Sequence, residues 1–232
     1  MHLHYLSAVV LAGFACAHPL AARDAHGTEE SIMSSSAQSP TPTKSANACK
    51  GTGSGGSGVN MAAAIAAIMP SSTSCDKVDF PDECRTAEQA APFIEKACAD
   101  LKPAECAATI ALMGLESADL KYKHNVVPGT PGQGTANMMM AEFIAEYATD
   151  LFGADKVQGK SPDEVLALVT PDEYNFGSAA WFLKNKCSAD VRSSLQTGTD
   201  EGWLAYNECI RVNGANVERM AYWTRAKAAF NL

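Results

Sequence analysis

Residues 103–117 read PAECAATIALMGLES, and the reading of this stretch decides the fold. Pro103 suits the first position of a helix, where its missing N–H has no intrahelical acceptor in any case. Ala107, Ile110, Ala111, Met113 and Leu115 then give that helix a broad apolar surface. Outward from it the same signals recur. Met61–Met69 is an Ala/Ile run, and Thr86-Ala-Glu-Gln89 is a capping box opening a helix to about Leu101. Asn137 is expected to cap a helix from Met138 to Leu151. Ser161-Pro-Asp-Glu164 combines a capping box with a first-position proline for a short helix to Val169. Further helices are expected over 176–186, 188–196, 200–210 and 216–229. No run alternates convincingly with period two, although 120–135 has room for a small hairpin. The expectation is a mainly α domain over residues 59–232.

What precedes it reads differently. Residues 5–17 form an apolar run ending in Ala15-Cys16-Ala17, the pattern of a secretory signal peptide with cleavage after Ala17. The run is short of the roughly 20 residues needed to span a bilayer. Residues 18–58 are expected to form a disordered tail. Within 28–58, 19 of 31 positions are Ser, Thr, Pro or Gly, too few apolar groups to offset the entropy of ordering. The glycines at 51, 53 and 56 spell GxGxxG, but coil precedes them where the dinucleotide fingerprint needs a strand.

A secreted setting gives the eight cysteines a meaning. With Cys16 removed, six of the remaining seven can pair, and disulfides are preferred to zinc because no CxxC occurs. The expected pairs are Cys98–Cys106 and Cys187–Cys209, with Cys84 joined to Cys75 or Cys49. The net charge of −8 argues against a role that depends on neutralising phosphates.

Elimination narrows the chemistry. His2, His4, His18 and His26 lie in the signal or tail, leaving His124 in the domain, in a polar run that suits a solvated loop. One histidine disfavours Ser-His-Asp and Cys-His catalysis and multi-histidine zinc sites. Carboxylate chemistry remains. Glu116 follows seven apolar helical positions, so its carboxyl is expected in a poorly solvated frame, the setting a general acid requires. The Gly/Pro-rich segment 128–134 after it can bring backbone close to a ligand.

In order, these pieces resemble the lysozyme-like superfamily, in particular its goose-type lysozyme and lytic transglycosylase branch. The motifs are Leu115-Glu116-Ser117, Gly132-Gln133-Gly134 with Asn137-Met138-Met139, Ala205-Tyr206-Asn207, and a closing segment with Arg219 and Tyr222-Trp223. A group of secreted fungal proteins of unassigned role shows the same arrangement, and the resemblance covers about residues 80–229. It implies a lysozyme-like, disulfide-stabilised helical domain acting as a glycoside hydrolase on a chitin- or peptidoglycan-like polymer. Glu116 carries over as general acid. Ser117, Gln133, Gly134, Asn137, Met139, Trp203, Tyr206 and Asn207 carry over as substrate-binding residues. Trp203 or Tyr206 is expected in the cleft and Phe182 in the core. Met139 stands where the superfamily usually has Gln, and a second carboxylate is undecided among Asp119, Asp150 and Asp172.

The implied partner is a polysaccharide or glycan, with neither nucleic acid nor membrane, and the protein is expected to be a secreted monomer needing no cofactor and no metal. The alternative is a non-catalytic secreted effector or glycan-binding protein that keeps the same fold. The acidic charge weakens an anionic bacterial wall as substrate.

Overall fold

The computed structural model describes residues 59–232; the expected signal peptide (1–17) and tail (18–58), with Cys16 and Cys49, lie outside the described residues. The domain is mainly α. In chain order the helices are α1 (Met61–Ile68), α2 (Ala87–Cys98), α3 (Pro103–Glu116), α4 (Ala141–Phe152), α5 (Ala154–Val157), α6 (Pro162–Val169), α7 (Asp172–Asn175), α8 (Ser178–Lys186), α9 (Ala189–Leu195), α10 (Asp200–Cys209) and α11 (Val217–Phe230). A 3₁₀ turn over Pro70–Thr73 follows α1. Among the described residues, no helix is long and apolar enough to cross a membrane.

The expected helix starts hold where side-chain chemistry specifies them. Thr86 and Gln89 cap α2 reciprocally, as Ser161 and Glu164 cap α6. Helix α3 is the centre of the fold. Every residue from Ala104 to Gly114 is buried, and the helix packs against α1, α8, α9 and α11. Glu105 is enclosed with them and is held by Arg192 Nε at 2.8 Å and the Lys102 amide at 2.9 Å. Gly114 lets α11 approach closely, because a Cβ there would lie 2.6 Å from the Tyr222 ring.

Three disulfides staple the helices: Cys75–Cys84, Cys98–Cys106 and Cys187–Cys209. The two expected pairs are present, and Cys75 is the partner of Cys84. The hairpin expected over 120–135 is reduced to two isolated antiparallel bridges, His124 with Gly134 and Gly134 with Met139. The helix expected from Met138 starts at Ala141, with Met140 at its cap. Thr135 and Met138 are left-handed (φ 60° and 48°), which breaks a continuous helix before that point. Asn137 is no cap; its Oδ1 accepts hydrogen bonds from Thr135 Oγ1 and Ser178 Oγ.

Candidate functional site

Helix α3 ends at Glu116 because the chain then reverses through three successive left-handed residues, Ala118, Asp119 and Leu120. Such a run is disfavoured for residues with a Cβ and needs local partners. Ser117 Oγ donates to the Met113 carbonyl and accepts from the Leu120 amide. The Asp119 carboxylate accepts from Ser71 N and Oγ and from the Tyr222 hydroxyl. These bonds fix the turn and leave Glu116 at its edge.

Two adjoining cavities meet there, sharing Glu116, Gln133 and Met138. One lobe, about 350 Å³, is of mixed character, lined by Tyr122, His124 and Asn125 together with Val126 and Val127. The other, about 250 Å³, is walled by Leu112, Phe143, Phe182, Ile210 and Val212, with Met139 and Met140 beside them. At the junction Arg219 Nη2 donates to Glu116 Oε1. The side chains of Glu116 and Arg219 are 22% and 13% exposed, so the pair faces the groove from a mostly enclosed position. A second guanidinium nitrogen, Arg219 Nη1, is buried and has no hydrogen-bond partner among the described residues. An unpaired buried donor is costly.

The sequence-predicted residues divide sharply. Glu116 and Gln133 line both lobes, and Asn137 and Met139 line the apolar one. Ser117 does not join them: it is buried and its hydroxyl serves the α3 turn. Gly134 is buried in the bridge region, where a Cβ would lie 2.7 Å from Leu166 Cδ1. Its role is close packing.

The aromatics expected in the cleft lie in the core. Trp203 is fully buried, stacked on Trp223 with ring centroids 5.3 Å apart, and its indole N–H donates to Gly214 O. Tyr206 and Asn207 are also fully buried and belong to the core. Tyr206 lies four residues before Ile210, the residue that caps α10 and borders the apolar lobe. Burial, and then the nearby Glu116 charge, push its phenol well above the usual range. Phe182 is in the core as expected, 7% exposed, and also borders the apolar lobe.

The dry apolar frame expected around Glu116 is also corrected, because its neighbour is a guanidinium supplied by α11. None of the candidate second carboxylates lines either lobe. Asp119 braces the turn, Asp150 accepts from Trp181 Nε1, and Asp172 is held by Arg85 and Lys123. Burial alone would raise the Asp172 carboxyl, but hydrogen bonds from Lys123 and Arg85 hold it below its ordinary value. His124 Nδ1–H donates to Glu83 Oε2 at 2.8 Å. Sequence reasoning missed Arg219 as the partner of Glu116, since 103 residues separate them.

Fold and groove together define a disulfide-stapled helical protein with an amphipathic cleft at the end of its central helix. A curated protein of Fusarium oxysporum (strain Fo5176), named a bifunctional dioxygenase (DOX)-epoxy alcohol synthase (EAS), is 43% identical to the chain over 173 residues. The matched segment is 68% of this chain, which spans 13% of that protein's length. No family profile matches the chain, and no solved structure does. The relative's name, a dioxygenase and epoxy alcohol synthase, overturns the glycoside hydrolase expectation and the lysozyme-like activity that came with it. The short motifs behind the expectation mark helix ends and core positions here, where Ser117, Gly134, Tyr206 and Asn207 pack the protein.

Proposed function

We propose that the domain is a binding module for an apolar molecule bearing neutral oxygen functions, such as an alcohol or an epoxide. The observation that carries this reading is the Glu116–Arg219 ion pair, 22% and 13% exposed, bordering an apolar wall. The guanidinium is a donor and the carboxylate an acceptor, side by side. A hydroxyl satisfies both, and an epoxide oxygen satisfies the donor. Leu112, Phe143, Phe182 and Ile210 suit a hydrocarbon chain in the way ligand pockets combine apolar walls with a few placed polar groups. The relative's name supplies the same chemistry, an epoxy alcohol, for that larger protein.

We read binding, rather than the oxidative step, as this chain's share, since it spans 13% of the relative's length. The three disulfides support an oxidising, extracellular setting.

The test is calorimetric titration of the full chain with a long-chain epoxy alcohol. Saturable one-to-one binding is expected, weakened about tenfold in Arg219→Met, the equivalent of one good hydrogen bond. Equal affinity of Arg219→Met and the unaltered chain would sink this assignment.

A further inference from the structure

The loop from Asn125 to Gln133 folds back on itself: Asn125 N donates to Gln133 O and Gln133 N to Thr130 O, both at 3.1 Å. The two carboxamides at its ends meet, and one backbone group sets the orientation of both. Gly129 N–H donates to the Asn125 side chain at 3.3 Å, and an amide N–H bonds only to an acceptor, so the atom it meets is Asn125 Oδ1. The Asn125 nitrogen is then the donor on the other side, to Gln133 Oε1 at 2.6 Å and Thr130 Oγ1 at 3.2 Å. With its oxygen engaged there, Gln133 turns its nitrogen the other way. Gln133 Nε2 carries two hydrogens and makes one long bond among the described residues, 3.4 Å to Met138 O. Asn125 borders the mixed lobe, whereas Gln133 and Met138 border both, so the nitrogen end of Gln133 lies on the side of the junction. Gln133 is partly exposed, and a hydrogen on its nitrogen remains for a ligand.

We propose that Asn125 is a positioning residue that makes Gln133 a hydrogen-bond donor to the groove, and that this donor selects ligands whose oxygen can only accept, such as an epoxide or a carbonyl. The inference rests on the reading that the groove takes oxygenated apolar molecules, and it names the kind of oxygen preferred. A hydroxyl both donates and accepts, so it is satisfied whichever way the Gln133 carboxamide is turned. An epoxide oxygen has lone pairs and no hydrogen, so it needs the nitrogen. Turned the other way, the carboxamide would set its oxygen against the ligand's, and both would lose a partner. Selectivity is the difference between these two cases, and Asn125 sets it by acting through Gln133.

Calorimetric titration of the full chain with decene oxide and with decanol reads the preference as a ratio of affinities. In Asn125→Asp the Gly129 amide keeps one carboxylate oxygen, and the other faces Gln133. The Gln133 carboxamide then gives its nitrogen to that carboxylate and its oxygen to the groove. Affinity for the epoxide is expected to fall about tenfold relative to decanol, the scale of one hydrogen bond. Gln133→Glu makes the change directly, since Asn125 still donates to one carboxylate oxygen and the other is an acceptor, and the same shift is expected. Both probes are uncharged, so the added charge attracts neither. Unfolding curves identify a variant that does not fold, and the other variant then decides. An unchanged ratio, or equal weakening of both probes, overturns the proposal, because a merely structural role moves the two affinities together. Saturable binding of both probes to the unaltered chain with an unmoved ratio in the variants removes this inference alone. Binding of neither probe to the unaltered chain also overturns the groove as a ligand site.

Discussion

Glu105 is a carboxylate enclosed in the core of α3, and it shows how single residues set the pH response. Burial alone pushes its carboxyl up, but Arg192, then the Lys102 amide and Gln196, more than offset this and hold it below its ordinary value. A carboxyl depressed on folding contributes stability above its unfolded value, and that contribution is lost as pH falls through the folded one. Arg192→Met should therefore cost about 2 kcal/mol at neutral pH, the scale of a hydrogen bond to a charged group. The cost should shrink as acid protonates Glu105 in both proteins. Denaturant unfolding of the two proteins from neutral to acid pH measures this, and a cost that does not change with pH would refute it. The same residue scale shows what the sequence hides. Glu116 was legible because a charge after seven apolar helical residues is conspicuous. Arg219 was not, because only the close α3–α11 packing permitted by Gly114 brings it there.

At the scale of elements, local chemistry was the legible part. The α2 and α6 starts are written in reciprocal caps, and Pro103 opens α3 as expected. Legibility failed between residues 135 and 140, where tertiary bonds to Gly134 and Ser178 override the helical pattern. Trp203 and Tyr206 carry the apolar character of cleft and core residues alike, and only the packing of α10 shows that both are buried, while Phe182 on α8 is in the core as expected. Disulfides act at this scale too. Cys187–Cys209 ties the end of α8 to the end of α10 across 22 residues, whereas Cys98–Cys106 spans 8. Removing either is expected to cost roughly 2–4 kcal/mol, and loop closure makes the longer one about 1 kcal/mol the more costly. Paired Cys→Ala variants compared by denaturant unfolding check the order; a larger loss from the short loop would show that native-state packing, not chain entropy, dominates.

Over the whole molecule, charge chooses among ligands that the groove would otherwise treat alike. Residues 1–17 carry no Asp, Glu, Lys or Arg, and residues 18–58 carry three of each sign, so the entire −8 falls on residues 59–232. At the groove floor Glu116 already neutralises Arg219, which leaves no net local charge to oppose that field. A fatty carboxylate must therefore approach a negative domain and settle beside Glu116, while the alcohol of the same chain length makes the same apolar contacts without that repulsion. Decanol should bind more tightly than decanoate at low salt. The gap should narrow as added salt shortens the screening length from about 30 Å at 0.01 M to about 3 Å at 1 M. Two terms compete here, the field of the domain and the attraction of Arg219, and Glu116→Gln separates them. With the carboxylate gone, Arg219 is unopposed at contact distance, where Coulomb attraction outweighs a screened distant field. The variant should then bind decanoate at least as tightly as decanol. Decanoate binding more tightly than decanol to the unaltered protein would mean that Arg219 is not neutralised by Glu116, and the preference for neutral ligands would fall with it.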